Sequence, residues 1–190
     1  MGDTYDHDKR LIRGRLQARR SQLPAGEVAR LSARACARLR ASAIFARARH
    51  LAAYAAADNE LDPASLIEAA LADGKSVYLP VTSRERFDFV VLPALRPGPE
   101  ADRSPVGPCL SPEADEVVFL VPGVAFDARG VRLGRGLGWY DRALGRHPRG
   151  FRVGLAYVFQ VVPSLPEAPW DVRMDAIFTD AGVIGAALVQ

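Results

Sequence analysis

A chain of 190 residues, 49% hydrophobic and 25% charged, is long enough to bury one core and too apolar to stay disordered. It has no run of about 18 apolar residues to span a membrane, and its charged first twenty residues do not form a secretory signal, so a cytoplasmic location is expected. The formal charge of +3 comes almost wholly from arginine, with Lys9 and Lys75 the only lysines. Acidic residues are interspersed, so no single-sign stripe marks a nucleic-acid face.

The elements follow in order. A basic helix is predicted from about Asp8 to Arg20, with Ile12 and Leu16 forming a narrow apolar stripe at i, i+4. Pro24 suits the first position of a second helix, whose Val28, Leu31, Ala35 and Leu39 recur at helical spacing to about Ala41. His50–Ala55 reads as a strand, and a helix runs from Asp62-Pro63 to Asp73-Gly74. Short strands follow at Ser76–Leu79, ended by Pro80, and at Phe87–Leu92. Proline and glycine make Arg96–Asp115 a long surface loop. Val117–Val121 is a buried-type strand, Trp139–Gly145 a helix, and Arg152–Ala156 and Ala176–Phe178 the last strands. This alternation predicts one α/β domain over 1–190, a three-layer α/β/α arrangement with a mostly parallel central sheet.

Cys36 and Cys109 form no CxxC pair, and Cys36 falls in a helical pattern as a small buried residue. His7, His50 and His147 lack zinc spacing, so any metal should be oxygen-ligated. The chemistry concentrates in Val121–Leu144, VPGVAFDARGVRLGRGLGWYDRAL, which leaves a strand and enters a helix. Gly134, Gly136 and Gly138 alternate with Arg135 and Leu137, and Arg132 and Leu133 precede them. Such glycines let backbone N–H groups approach an anion, and a following helix N-terminus adds positive potential. Arg132 and Arg135 suit phosphate oxygens, and Asp141 offers a hard oxygen ligand for Mg2+. The two arginines are expected to be exposed, mattering to turnover more than to folding. The spacing is neither a Walker A loop nor a GxGxxG fingerprint. Trp139 and Tyr140 are either core aromatics or a stacking face for a flat heterocycle.

This stretch resembles the signature of the 5-formyltetrahydrofolate cyclo-ligase (5,10-methenyltetrahydrofolate synthetase) family, PG-x-x-FD-x-x-G-x-RLG-x-G-x-G-[aromatic]-YD-R-x-L, matched by Pro122 to Leu144. The likeness extends to KRLIR at Lys9–Arg13, to Tyr54–Glu60, and to the closing block Gly154–Asp180. The resemblance implies Mg2+- and ATP-dependent conversion of 5-formyltetrahydrofolate to 5,10-methenyltetrahydrofolate, ADP and phosphate. By position it implies ATP contacts at Lys9, Arg13 and Arg132–Tyr140, that is, Arg132, Leu133, Gly134, Arg135, Gly136, Leu137, Gly138, Trp139 and Tyr140. It implies folate contacts at Ala55, Glu60, Trp139 and Tyr140, Mg2+ at Asp141 and Asp171, and reaction chemistry through Arg132, Arg135 and Glu60. Expected partners are a reduced folate and ATP, with no nucleic acid, no membrane and a monomeric state.

Plainer roles stay open for several residues. Lys9 and Arg13 can be a solvated face, Asp171 a turn cap, and Glu60 part of the helix start before Pro63. Gln160 reads as structural. Leu137 and Trp139 depart from the family's usual residues, and Val106–Pro112 lacks the glutamate of its G-I-x-E-P element. That departure leaves as an alternative an enzyme of the same fold acting on another formamide or carboxylate, and the arginine-rich helices leave a non-catalytic nucleic-acid or partner-binding module.

Overall fold

The computed structural model describes residues 2–82, 87–92 and 105–185, with side chains from residue 7 onward. Its helices are α1 (Gly2–Ser21), α2 (Ala25–Arg40), α3 (Ala43–Arg47), α4 (Ala64–Ala72) and α5 (Trp139–Gly145). The strands are β1 (His50–Ala52), β2 (Ser76–Thr82), β3 (Phe87–Val91), β4 (Val117–Pro122), β5 (Ala125–Asp127), β6 (Arg132–Leu133), β7 (Phe151–Ala156), β8 (Val161–Val162), β9 (Ala176–Thr179) and β10 (Val183–Ile184).

The main sheet has the order β10-β9-β7-β4-β1-β2-β3. Its inner pairs β9/β7, β7/β4, β4/β1 and β1/β2 are parallel, and only the edge strands β3 and β10 run antiparallel. Side chains of the inner strands alternate between two cores, as the two-residue strand period requires. Leu51, Val118, Leu120, Val153 and Leu155 face Leu31, Leu39, Phe45, Leu66 and Ile67 of α2, α3 and α4. Ala52, Val117, Phe119, Val121 and Ile177 face Phe126, Ala143 and Leu144, on the side of β5 and α5. Both faces are covered, so the inner strands are mostly apolar. The α/β architecture is as expected.

Several boundaries differ, each for a physical reason. Pro24 is the N-cap of α2, in extended conformation (φ −63°, ψ 148°), rather than its first helical residue. Strand β1 stops at Ala52, short of Ala55, because after the Ala53 N–H reaches the Tyr78 carbonyl (2.8 Å) the chain turns through left-handed Asp58 and Asn59. Pro80 does not end β2. The Tyr78 carbonyl points toward β1, so Pro80, two residues on, presents its missing donor past the end of that strand, where no ladder bond is lost. A second sheet, β6-β5-β8, was not foreseen, its strands being too short for periodicity to register. The expected loop Arg96–Asp115 lies outside the described residues up to 104, and beyond them Cys109 bridges to Val90. Cys36 is buried, and burial pushes its thiol up to about 11.

The small sheet is where α1 docks. Leu16 and partly buried Ile12 pack on Val124, Ala125, Val131, Leu133 and Leu165, the stripe read from the sequence. Asp127, fully buried, braces the β5–β6 turn. It accepts from the N–H groups of Arg129 (2.9 Å), Val131 (3.2 Å) and Leu165 (2.9 Å) and from the Arg129 guanidinium. Burial alone would raise its pKa, but these donors outweigh burial and hold it below the usual range.

Candidate active site

Strand β1 passes through α4 to β2 on one side of the sheet, and β4 passes through α5 to β7 on the other. The chain therefore leaves β1 and β4, which are neighbours, in opposite directions. The crevice outside their carboxyl ends is the switch point where open α/β sheets bind ligands. A cleft of about 340 Å³ sits there, lined by Lys9, Arg13, Glu60, Arg132–Asp141, Trp170 and Asp171 among others. The loop after β1 supplies Glu60, the hairpin and loop after β4 supply residues 132–141, and the loop after β7 supplies Asp171.

The β5–β6 hairpin aims Arg132 into this cleft. Its turn depends on Gly130 (φ +83°), where an added Cβ would lie 2.2 Å from the Met174 carbonyl oxygen. Gly136 (φ +98°) and Gly138 (φ +65°, the N-cap of α5) take conformations that side chains rarely adopt, as the alternating glycines suggested. Arg13 Nε donates to the Gly134 carbonyl (2.9 Å), fastening the loop to α1. Lys9 and Arg13 are thus not a solvated face.

Each carboxylate in the cleft is held by a cation. Lys9 Nζ lies 3.4 Å from Asp171 Oδ2, Arg132 Nη2 donates to Asp141 Oδ2 (3.0 Å), and Arg135 Nη2 donates to Glu60 Oε1 (2.9 Å). Arg135 also pairs with Asp58 (2.9 Å); its hydrogen bond to Glu60 is the main reason its own pKa is raised. Lys9, Arg13, Arg132 and Arg135 outnumber Glu60, Asp141 and Asp171, so the lining favours an anion.

Arg132 corrects one expectation. It is not exposed: only 9% of its surface is accessible, and its buried Nε has no hydrogen-bond partner among the described residues. Its guanidinium lies 5.5 Å from the Tyr140 ring centroid, and burial raises the Tyr140 hydroxyl's pKa. Trp139 stacks on Phe87 at 6.1 Å. Both aromatics pack on the core and also line the cleft. Leu133 turns its side chain into the α1 cluster, whereas Leu137 is exposed. Ala55 is exposed and does not line the cleft. Gln160 is structural, with Nε2 donating to the Gly123 and Val124 carbonyls (2.9 and 3.0 Å).

Asp141 and Asp171 share one rim. Asp141 Oδ1 accepts from the N–H of Val172 (3.2 Å), the residue after Asp171, while Asp171 Oδ2 accepts from the N–H of Ala168 (2.8 Å). Among the described residues no three His, Cys, Asp or Glu groups gather as a metal cage. Two carboxylates completed by phosphate oxygens and water are nevertheless the donor set Mg2+ takes, so the residues fit that ion.

Four lining residues were not among the site residues named from the sequence: Phe87 reads as an ordinary strand residue, Trp170 as a residue beside a turn, and Pro122 and Gly123 as the end of a strand that opens the family signature. Trp170 is 76% exposed, a value no periodicity encodes.

Fold and cleft together define an α/β protein with a cation-lined crevice at a sheet switch point. Residues 5–180 match the 5-formyltetrahydrofolate cyclo-ligase family. The 5-formyltetrahydrofolate cyclo-ligase of Haemophilus influenzae is 33% identical over 138 residues, covering 67% of this chain and 74% of the relative. That of Escherichia coli is 33% identical over 150 residues, covering 72% and 80%. The solved structure of Aquifex aeolicus 5,10-methenyltetrahydrofolate synthetase matches with a TM-score of 0.77 at 34% identity, over 96% of both chains. The chain belongs to the 5-formyltetrahydrofolate cyclo-ligase family.

Proposed function

We propose that this protein closes the ring of 5-formyltetrahydrofolate to 5,10-methenyltetrahydrofolate, converting ATP to ADP and phosphate. The observation that carries this reading is Arg135, which joins the glycine loop to Glu60 across one cleft, so a phosphate site and a substrate carboxylate adjoin. In the reaction the formyl oxygen bonds to the γ-phosphorus as the bond to ADP breaks. The formyl carbon, now iminium-like, accepts the N10 lone pair; phosphate then departs with the original formyl oxygen, and N10 gives up its proton.

Little covalent work falls to the protein in such a transfer, and positioning with charge stabilisation dominates. Lys9, Arg132 and Arg135 hold the triphosphate by exchanging carboxylate partners for phosphate oxygens, and Arg13 joins them beside the Gly134 carbonyl. The backbone of Gly134–Gly138 lies along it. Glu60 orients the folate at N10 and the formyl group, and Trp139 and Tyr140 border its flat ring. Asp141 and Asp171 would hold Mg2+, which when bound offsets charge on the phosphates. Formation of the conjugated methenyl chromophore from 5-formyltetrahydrofolate, dependent on ATP and Mg2+, is the expected result with purified protein. Folded protein that yields no chromophore would overturn the reading.

A further inference from the structure

Arg20, in the last turn of α1, is 2% exposed and takes no part in the chemistry above. Its Nε donates to the Asp58 carbonyl (2.9 Å), its Nη1 donates to the Gly123 carbonyl (3.3 Å), and the same Nη1 lies 3.8 Å from Glu60 Oε1. Burying a guanidinium is costly, and an apolar side chain of similar volume would fill the space more cheaply if packing were the only need. What the charge contacts is informative: two carbonyls flanking the cleft and one carboxylate within it.

The turn it holds is unusual. Asp58 (φ 52°) and Asn59 (φ 56°) are consecutive non-glycine residues in the left-handed region, of the two side-chain types that enter it most readily. Asn59 Nδ2 donates to the carbonyls of Arg20 (3.2 Å), Ser21 (3.4 Å) and Leu23 (3.0 Å), so the turn also closes the end of α1. Tyr157 donates to the Asn59 carbonyl (3.0 Å), and Glu60 Oε2 accepts from the Ala57 N–H (3.2 Å).

Two cations therefore reach Glu60 Oε1, and they differ. The Arg135 side chain is 45% exposed and sits in the loop that meets phosphate; Arg20 is enclosed. When Arg135 turns to phosphate, Arg20 is the cation left on Glu60. We propose that Arg20 is a positioning residue for folate recognition, acting through Glu60 and holding it in place while nucleotide occupies the glycine loop. The proposal rests on the reading that Glu60 meets the folate.

The test compares Arg20→Met and Arg20→Lys with wild type, measuring KM for 5-formyltetrahydrofolate and for Mg-ATP by chromophore formation. Losing a charge-assisted contact predicts a rise of about tenfold or more in folate KM for Arg20→Met, with ATP KM changed by less than about twofold. Arg20→Lys should fall between, rescued by its charge. In a Glu60→Gln background, Arg20→Met should change folate affinity, read by calorimetry, no further. Equal rises in both KM values, or an undiminished effect in that background, would overturn the proposal. If Arg20→Met fails to fold, Arg20→Lys decides: a folate-specific rise supports the proposal and an unchanged folate KM refutes it. A wild type inactive on 5-formyltetrahydrofolate would instead sink the functional reading itself.

Discussion

The glycine loop and the Ala57–Glu60 turn both force the backbone into left-handed conformations at the mouth of the same cleft, by opposite means. At Gly136 and Gly138 the chain omits side chains. At Asp58 and Asn59 it keeps them and uses them, Asn59 for three helix-end carbonyls and Asp58 for Arg135. A segment that must let a ligand reach its backbone cannot carry Cβ atoms; one that must fix a neighbouring carboxylate needs groups that bind protein. The first solution is cheap in contacts and visible in sequence. The second is anchored from a distance and is not.

The largest effect should come from breaking the first solution. Gly138→Val places a β-branched residue at φ +65°, with its Cβ 2.9 Å from Arg142 Nη1. Nucleotide affinity by calorimetry should fall by about a hundredfold or more, that being the scale of such backbone strain with close approach lost. Unchanged affinity in a folded variant would refute the cradle.

A smaller effect separates the two arginines that flank the loop. The Arg132 side chain is 5% exposed and pairs with Asp141, whereas Arg135 is 45% exposed. Arg132→Ala should therefore cost about 2 kcal/mol in urea unfolding, because Asp141 loses its cation, and Arg135→Ala well under about 1 kcal/mol, because Arg20 still reaches Glu60. Both should slow turnover. Equal stability losses would show that the exposure difference carries no energetic weight.

The finest contrast lies in the second solution. Asn59→Gly keeps the φ of 56° but loses the bonds to the end of α1, while Asn59→Ala loses both. Ala should be the less stable of the two by about 1 kcal/mol in equilibrium unfolding, the left-handed penalty of a Cβ. If Gly is the worse, the entropy of the unfolded chain outweighs conformation there.

The same contrast governs what could be read without coordinates. The inner strands announced themselves because their alternating residues are apolar on both faces, as at Val117–Val121. Glycine spacing and the family likeness located the cleft, and Lys9, Arg13, Asp141 and Asp171 do converge on it. Arg132 reads as solvated because it is a charged residue beside glycines, and nothing local reveals that β6 places it against the Tyr140 ring. Arg20 looked like one more charge on a basic helix. Its partners lie 38 and 103 positions away, a separation that helical periodicity cannot register. Strands β5, β6 and β8 escaped for the same reason, their pairing being set by tertiary contacts rather than by pattern.

The docking of α1 bears on the order in which the molecule is made. The helix is made before the segments that anchor it: its end meets the Asp58–Asn59 turn 38 positions on, but Arg13 holds Gly134 across 121 positions and Lys9 meets Asp171 across 162. At translation speeds of about 5–20 residues per second, on the order of ten seconds pass between the emergence of Arg13 and that of its partner. The apolar seat of α1 is no earlier, since Val124, Val131 and Leu133 belong to the same downstream hairpin. Helix α1 thus waits for the hairpin it docks on, and the cleft is completed only after Asp171 has been made.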